Sequence, residues 1–307
     1  MRLPIVFHPD YQAPLRPAHP FPMSKYGYLR RELVCRGLLP SAGGYVSPAP
    51  LPPSRAAAVH AAGYVQRVST AALTGDEARR IGLPNTEAVA RRAFLAAAGT
   101  LLAARLALEH GIACNMAGGS HHAGPEGGAG YCVFNDVAIA AQALREEGRV
   151  RRVLVVDCDV HQGDGTARIF AGRADICTLS LHADRNYPAR KAASDLDYAL
   201  PDRLADRPYL EVLAQALGTV RDFRPDLVFY NAGVDPHAED RLGRLALTDD
   251  GLRQRDRTVL GWARRHMFPV AAVLGGGYDH DPERLAARHA VLFEEAARLL
   301  EAGDAEG

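Results

Sequence analysis

The chain has 307 residues, of which 48% are hydrophobic and 23% are charged. This composition is ordinary for a folded globular protein and excludes collagen-like, coiled-coil and fully disordered chains. Thirty-six basic residues balance thirty-six acidic ones, so we expect neither nucleic acid nor a membrane surface as a partner. Arg105 interrupts the longest apolar stretch, 94–108, and residues 1–10 lack a long apolar run; we therefore expect no membrane span and no signal peptide.

Cysteine usage and chain length bear on the compartment and on the number of domains. The five cysteines form no C-x-x-C pair, which favours free thiols in a reducing cytoplasm over a disulfide framework. The length allows one large domain or two modest ones. Since no repeat or low-complexity linker divides the sequence, we predict a single domain over 1–307, with 302–307 as a frayed tail.

Residues 1–55 are rich in proline and aromatic residues. After a short apolar run at 5–7, they predict an irregular segment with one helix near 25–37. Such a segment either wraps the surface or forms the rim of a pocket, since long structured loops often carry function. Both interpretations stay open at this point.

From residue 87 onward, helical patterns alternate with short apolar strands. The predicted helices lie near 87–110, 135–148, 166–170, 209–223, 248–266 and 282–302. The predicted strands lie at 112–116, 153–156, 176–181, 227–231 and 270–274. Because continuous apolar strands separated by helices form parallel sheets, we predict an α/β fold with a central, mostly parallel sheet flanked by helices on both faces.

Polar residues and glycines follow all five predicted strands. They are His121 and His122, the run 157–165, the run 180–182, Asp235, and the run 275–278. In parallel sheets, ligands bind outside the carboxyl ends of the strands. We therefore expect these residues to meet at one edge of the sheet and to form a site there.

Asp157, Asp159 and His161 occupy every second position of one run, so on an extended chain their side chains point the same way. Aspartate and histidine are good zinc ligands, and a catalytic zinc needs three protein ligands and an open position for water. Two ligands can come from this run, and Asp235 is the best third. A single aspartate would more often cap the following turn, whereas the whole D-x-D-x-H-x-x-D run favours a metal.

The His121–His122 pair is weak support for a site on its own, because such pairs often arise by chance. Here it follows a predicted strand and precedes glycine-rich backbone. A neutral histidine in that place can act as a general base on a metal-bound water, and it needs a carboxylate to fix its tautomer. Asp157 and Asp164 remain after the metal takes Asp159, so two carboxylates match two histidines.

Tyr278 follows three glycines, which let the backbone pass close to a substrate. Its phenol could donate a hydrogen bond to a developing oxyanion; the alternative is a half-buried tyrosine after a turn. Gly130 and Tyr131 could form a pocket wall, or Tyr131 could be a core aromatic residue. The sequence has no G-x-S-x-G and no Walker A loop, which argues against serine hydrolases and P-loop enzymes.

Together these motifs resemble those of the zinc-dependent histone deacetylase family, within the arginase/deacetylase superfamily. The matching segments are GGSHHAGPEGGAGYCVFND (118–136), DCDVHQGDG (157–165), NAGVDPHAEDRLG (231–243) and LGGGYDH (274–280). The segments AHPFPMSKY (18–26), RNYP (185–188) and 240–256 resemble the class IV branch and its bacterial relatives. The resemblance covers the chain from about Ile5 to the last predicted helix and implies a single catalytic domain with the arginase/deacetylase fold.

The resemblance also implies a role for each candidate residue. His122 would be the main general base and acid, His121 its electrostatic partner, and Tyr278 the oxyanion stabiliser. Asp157 would orient His121, and Asp164 would orient His122. The implied zinc ligands are Asp159, His161 and Asp235. The residues implied for the acyl-lysine tunnel are Gly130, Tyr131 and Leu242. The implied potassium site consists of Asp157, the carbonyls of Asp159 and His161, Ser180, and the carbonyl of Leu181.

The function implied is a zinc-dependent deacetylase or deacylase that removes acetyl or longer acyl groups from lysine side chains of proteins or peptides. An acetylpolyamine or other small-molecule amidohydrolase of the same superfamily is the alternative. A binuclear manganese ureohydrolase would need more acidic ligands near Asp235, which the sequence lacks. A catalytically silent acyl-binding protein would have lost a ligand, histidine or tyrosine, and none is missing. The sequence leaves the natural substrate, the acyl chain length and the oligomeric state open.

Overall fold

The computed structural model describes residues 2–17 and 19–304. Its strands are β1 (Ile5–Val6), β2 (Ile112–Asn115), β3 (Val153–Asp157), β4 (Ile176–Ala183), β5 (Leu196–Leu200), β6 (Leu227–Asn231) and β7 (Val270–Val273). They form one sheet in the order β1-β2-β7-β6-β3-β4-β5, and every neighbouring pair is parallel. The predicted α/β fold with a parallel sheet is confirmed.

Helices cover this sheet in two layers. The helices are α1 (Lys25–Cys35), α2 (Pro53–Ala56), α3 (Ala62–Ser69), α4 (Gly75–Ile81), α5 (Glu87–His110), α6 (Asp136–Glu146), α7 (Asp164–Phe170), α8 (Asp206–Val220), α9 (Asp249–Arg265) and α10 (Pro282–Asp304). Helix α5 packs against α6, β2 and β7, whereas α10 packs against α1 and α9, and α9 against α8. Strands β2, β3, β6 and β7 are buried along their whole length, as is typical of parallel strands covered on both sides.

The long helix α5 contains the most apolar stretch of the sequence. It begins after Thr86, whose side chain accepts a hydrogen bond from the backbone N–H of Val89, and ends at Gly111, which has a φ of 85°. By length and composition α5 could cross a membrane, and Arg105 does not exclude this, but 67% of its most apolar window is buried inside the protein. Helix α5 therefore packs as a core helix of this fold.

The strand register brings the ends of three strands together. Asp157 at the end of β3 lies opposite Ser180 of β4 and Asn231 of β6. The segments that follow these strands consequently leave the same edge of the sheet, where the sequence predicts the site.

Five elements, β1, α2, α3, α4 and β5, have no counterpart among the predicted helices and strands, although β1 lies in the short apolar run at 5–7. Helix α4 is short; it begins with a capping box between Thr74 and Glu77 and ends at Gly82, which has a φ of 75°. Strand β5 alternates half-buried and exposed residues at the edge of the sheet, so it lacks the continuous apolar run that marks the other strands.

The carboxyl-terminal end differs slightly from the expectation. Residues 302–304, expected to fray, belong to α10. The rest of the expected tail, 305–307, lies outside the described residues. All five cysteines are free thiols; the cytoplasmic location stays a prediction.

Candidate active site

Asp159, His161 and Asp235 converge beyond the ends of β3 and β6. Nδ1 of His161 lies 2.9 Å from Oδ1 of Asp159 and 3.2 Å from Oδ2 of Asp235. Each residue offers one ligand atom within 4.8 Å of the other two, and all three side chains are buried. The fold thus brings together the three residues that the sequence predicts as zinc ligands.

The charges of this cluster favour a bound cation. Burial disfavours a charge on His161, yet the neighbouring carboxylates outweigh it and raise the pKa of the imidazole to about 10. Burial and the charge of Asp159 raise the pKa of Asp235, because two buried carboxylates this close repel each other. A divalent cation between them would remove that repulsion.

Two further observations fit a metal ion. Oδ2 of Asp235 is buried and, although Nδ1 of His161 lies 3.2 Å away, no group of the described residues donates a well-aligned hydrogen bond to it. Buried polar atoms are nearly always satisfied. Gly276 stands beside this oxygen, and a Cβ there would clash with the carboxylates of Asp235 and Asp159. The pocket at this point has a volume of about 30 Å³, which is room for an ion or a water molecule. One imidazole and two carboxylates are a donor set that suits zinc.

His121 and His122 each contact a different carboxylate. Nδ1 of His121 lies 2.7 Å from Oδ2 of Asp157, and Nδ1 of His122 lies 2.7 Å from Oδ1 of Asp164. Arg168 also donates to Asp164. These contacts hold a proton on each Nδ1 and leave each Nε2 for chemistry, which is the pairing that the sequence predicts.

The two imidazoles differ in proton affinity. Burial lowers the pKa of His121, but the charges of Asp157 and Asp159 outweigh it and raise this pKa to about 9. Burial and the charge of His121 lower the pKa of His122 to about 3. At neutral pH, His122 is therefore neutral, which is the protonation state that a general base requires.

Backbone conformation positions the histidine pair. Gly118 and Gly119 have φ values of 86° and 81°, a region that other residues rarely adopt. Asp136, the first residue of α6, accepts hydrogen bonds from the backbone N–H groups of Gly119 at 3.1 Å and Ser120 at 2.7 Å. This buried carboxylate, which the sequence analysis does not single out, fixes the turn that presents His121.

Tyr278 stands at the same pocket, with its ring centroid 6.3 Å from that of His161. Only 8% of its surface is exposed, and its backbone N–H donates to Oδ2 of Asp240 at 2.7 Å. Burial and the charges of Asp235 and Asp159 raise the pKa of its phenol. The phenol therefore keeps its proton and can donate a hydrogen bond.

A cavity of about 350 Å³ leads from the surface to these groups. Gly130, Tyr131 and Leu242, the residues implied for the tunnel, all line it. Tyr187 forms a further part of the wall, and its ring meets that of His122 edge-on at 4.7 Å. Of these residues, Tyr187 enters the sequence analysis only within the RNYP segment.

The proline-rich amino-terminal segment reaches this site. The ring of Phe21 lies 5.4 Å from that of Tyr131 and 6.5 Å from that of Tyr278. Of the two interpretations of residues 1–55, the rim of a pocket therefore holds for the part around Phe21. Tyr131 is not a core residue: it is half-buried, and its φ is 64°.

The residues implied for potassium lie next to the ligand cluster. Asp157 and Ser180 are register partners in the sheet, and Oγ of Ser180 lies 3.0 Å from Nδ1 of His182. The potassium site stays a prediction.

Two buried residues that the sequence analysis does not single out, Asn231 and Arg255, donate hydrogen bonds that hold the site residues and their loops in place. Nδ2 of Asn231 donates to Oδ1 of Asp157 at 2.9 Å. Arg255 of α9 donates to the backbone carbonyls of Cys158, at 3.3 Å, and of Gly233. Asn231 stands in the NAGVDP segment and could have been found there. Arg255 contacts carbonyls that are distant in the sequence, and no sequence motif predicts these contacts.

Comparison with known proteins agrees with this geometry. The histone deacetylase domain model matches residues 19–293. The chain belongs to the histone deacetylase family. It is 46% identical to an uncharacterised protein of Picosynechococcus sp. over 299 residues, which are 96% of this chain and 99% of that protein. It is 31% identical to histone deacetylase 2 of Arabidopsis thaliana, covering 88% of this chain and 72% of that one. The crystal structure of the HDA15 HD domain superposes with a TM-score of 0.81 at 23% identity, covering 98% of this chain and 88% of that one.

Membership of the histone deacetylase family settles the coarse function. The chain is a hydrolytic deacetylase with the arginase/deacetylase fold. The matched range contains the ligand cluster, both histidine–aspartate pairs and Tyr278.

Proposed function

We propose that this deacetylase is zinc-dependent and removes acetyl or longer acyl groups from lysine side chains of proteins or peptides. One observation carries the proposal: the ligand cluster, the histidine pair with its two aspartates and Tyr278 lie together at the small inner pocket, and His122, His161 and Tyr278 also line the cavity that leads to it. An amide carbonyl placed there would face a metal, a base and a hydrogen-bond donor at once.

Asp159, His161 and Asp235 would hold the zinc ion. When bound, zinc polarises the acyl carbonyl and makes the attacking water more acidic. Asp157, Ser180 and the carbonyls of Asp159, His161 and Leu181 would hold potassium beside it.

The histidine pair moves the protons of the reaction. His122 accepts a proton from the attacking water at Nε2, while Asp164 holds the proton on its Nδ1. His121 carries positive charge next to it, because Asp157 raises the pKa of His121. That charge favours the negative transition state. A protonated histidine then delivers a proton to the leaving lysine amine.

Tyr278 stabilises the oxyanion. Its phenol keeps its proton at neutral pH and stands beside the ligand cluster, so it can donate to the oxygen on which negative charge develops. Donors that are fixed in place in this way account for large parts of the rate of acyl-transfer enzymes.

Metal analysis combined with a fluorogenic acyl-lysine assay tests this function. We expect one zinc per chain, loss of turnover on chelation, and recovery when zinc is restored. The panel should contain acetyl-lysine, longer acyl-lysines and an acetylpolyamine. Turnover of the acetylpolyamine alone would instead support the small-molecule amidohydrolase, and metal-independent turnover would contradict the zinc mechanism.

A further inference from the structure

The entrance of the cavity is basic. Arg79 and Arg80, in the last turn of α4, line the cavity that leads to His122, and no carboxylate of the described residues lines it with them. Arg79 forms an ion pair with Asp76. Arg80 is exposed and, within the described ranges, forms no ion pair.

Arg80 is held at the cavity wall by its own backbone. Its carbonyl accepts a hydrogen bond from the N–H of Gly130 at 3.1 Å, and its guanidinium lies 3.3 Å from where a Cβ of Gly127 would be. Burial and the charge of Asp164 raise the pKa of Tyr187 at the wall, and the charges of Arg168 and Arg80 oppose that rise. Arg168 is paired with Asp164, whereas Arg80 lines the cavity and forms no ion pair with the described residues, so its guanidinium can contact a substrate.

A second arginine stands near the other aromatic wall residue. Arg241 directly precedes Leu242 and is exposed. Burial raises the pKa of Tyr131, and the charge of Arg241 opposes it. Of the three tyrosines that line the cavity, Tyr131 and Tyr187 therefore each lie within the electrostatic influence of an arginine.

The orientation of a substrate decides what meets these arginines. The carbonyl must reach His122 and Tyr278 at the inner end, so whatever is attached to the amine stays at the entrance. Opposite charges across such a contact attract and like charges repel. An acylated polyamine places further ammonium groups there, whereas an acidic neighbour of an acyl-lysine places a carboxylate there.

Building on the proposed function, we propose that Arg80, supported by Arg241, makes this enzyme select acylated amines that carry a carboxylate close to the amine, and discriminate against acylated polyamines. The carboxylate can come from acidic residues flanking an acyl-lysine, or from the α-carboxylate of a free acyl-lysine. Both sources offer the guanidinium the same charge-assisted hydrogen bond.

Peptides that differ only in charge test this selectivity. Three peptides with one acyl-lysine flanked by glutamates, glutamines or lysines are compared with acetylspermidine, using the acyl group that the enzyme turns over fastest. We expect kcat/KM to fall from the acidic to the neutral to the basic peptide, by about two- to fivefold per step, the size of one exposed ion pair. The change should lie mainly in KM and should shrink at high salt. Nα-blocked acyl-lysine with a free carboxylate, compared with its methylamide, separates the two sources.

Arg80→Glu is the decisive variant, and Arg265→Glu is its matched control. Arg265 ends α9, just before β7 begins, so it lies at the opposite edge of the sheet from the site while changing the net charge equally. We expect Arg80→Glu to reverse the order of the three peptides, Arg80→Gln to flatten it, and Arg265→Glu to keep the wild-type order. A variant that merely loses structure would lower all three rates together and could not reverse them.

Binding separates this inference from the proposed function. Dissociation constants for the three peptides, measured by calorimetry on the Tyr278→Phe background, report charge selectivity without turnover. Equal affinities for the three peptides, or tighter binding of the basic one, would overturn the selectivity. So would an equal change in the dissociation constants in Arg80→Glu and Arg265→Glu. A lack of turnover with every peptide would contradict the proposed function, while the order of the dissociation constants would still decide the selectivity.

Discussion

Nε2 of His121 and Nε2 of His122 lie 3.1 Å apart. Both Nδ1 atoms face carboxylates, so before the reaction a single further proton is shared between the two facing Nε2 atoms. Carboxylates overcome burial and raise the pKa of His121 to about 9, whereas burial and His121 lower the pKa of His122 to about 3. One imidazole is thus charged and the other neutral, although the two are adjacent in the sequence.

We therefore expect His122→Ala to lower kcat/KM more than His121→Ala. Removal of a general base costs about 10²- to 10⁴-fold, whereas loss of His121 removes a neighbouring charge and leaves the base in place. Steady-state kinetics on one acyl-lysine substrate give both values, and equal zinc contents of the two variants serve as the control. A larger loss in His121→Ala would reverse the assignment of roles.

Tyr278→Phe should keep the zinc ion and lose most of the turnover. The substitution removes only the hydroxyl, and loss of one oxyanion donor costs about 10²- to 10³-fold in kcat. Kinetics and metal analysis on the same preparation measure both effects. A near-normal rate would rule out the oxyanion role.

The buried His60, which lies outside the active site, should make the folding stability of the protein depend on pH. Its Nδ1 lies 2.8 Å from the carbonyl of Gly124, and its Nε2 accepts from the N–H of Asn135 at 3.0 Å, so only the neutral imidazole satisfies both contacts. Burial lowers the pKa of His60 from 6.5 to about 4. The unfolded chain therefore binds a proton more readily than the folded protein does. The resulting stabilisation is about 3 kcal/mol; it is fully present above pH 6.5 and is lost as the pH falls towards 4.

Urea unfolding of the wild type and His60→Gln between pH 4 and pH 7 measures this contribution. We expect the free energy of unfolding to fall more steeply with decreasing pH in the wild type than in the variant. The difference between the two curves cancels the other titrating groups. Parallel curves would show that His60 does not titrate in this way.

Arg255 and Asp256 form a buried ion pair at 2.8 Å, and Asp256 also accepts from the hydroxyl of Tyr230 at 2.6 Å. Arg255→Met leaves the buried carboxylate without its cation and should destabilise the fold by about 3–5 kcal/mol. The double variant Arg255→Met/Asp256→Leu removes both charges and should recover part of that loss. Denaturant unfolding measures both, and a double variant no more stable than the single one would contradict the pairing.

Much of the site could be predicted because its residues follow strand ends in short motifs. The pattern of apolar strands predicts the parallel sheet. Since its strands all end at the same edge, it also predicts that Asp159, His161 and Asp235 meet there. The pairing of His121 with Asp157 and of His122 with Asp164 followed from the resemblance, and the distances agree with it.

The supporting residues could not be predicted in this way. Arg255 contacts carbonyls 97 and 22 positions away, and the sequence of a helix does not tell which loop lies behind it. Strand β5 is missed because an edge strand needs only one buried face. Helix α4, which presents Arg80, carries its signal in the Thr74–Glu77 capping box, a pattern that could have been recognised.

The metal content of the purified protein tests the central claim most directly. We expect one zinc per chain in the wild type and in Asp164→Asn, which removes the carboxylate beside His122 but no ligand, and almost none in Asp235→Asn. Asp164→Asn should then be poorly active with its zinc in place, and Asp235→Asn inactive without it. A wild type without zinc, or an Asp235→Asn variant with an undiminished zinc content, would contradict the assignment of Asp159, His161 and Asp235 as the ligands.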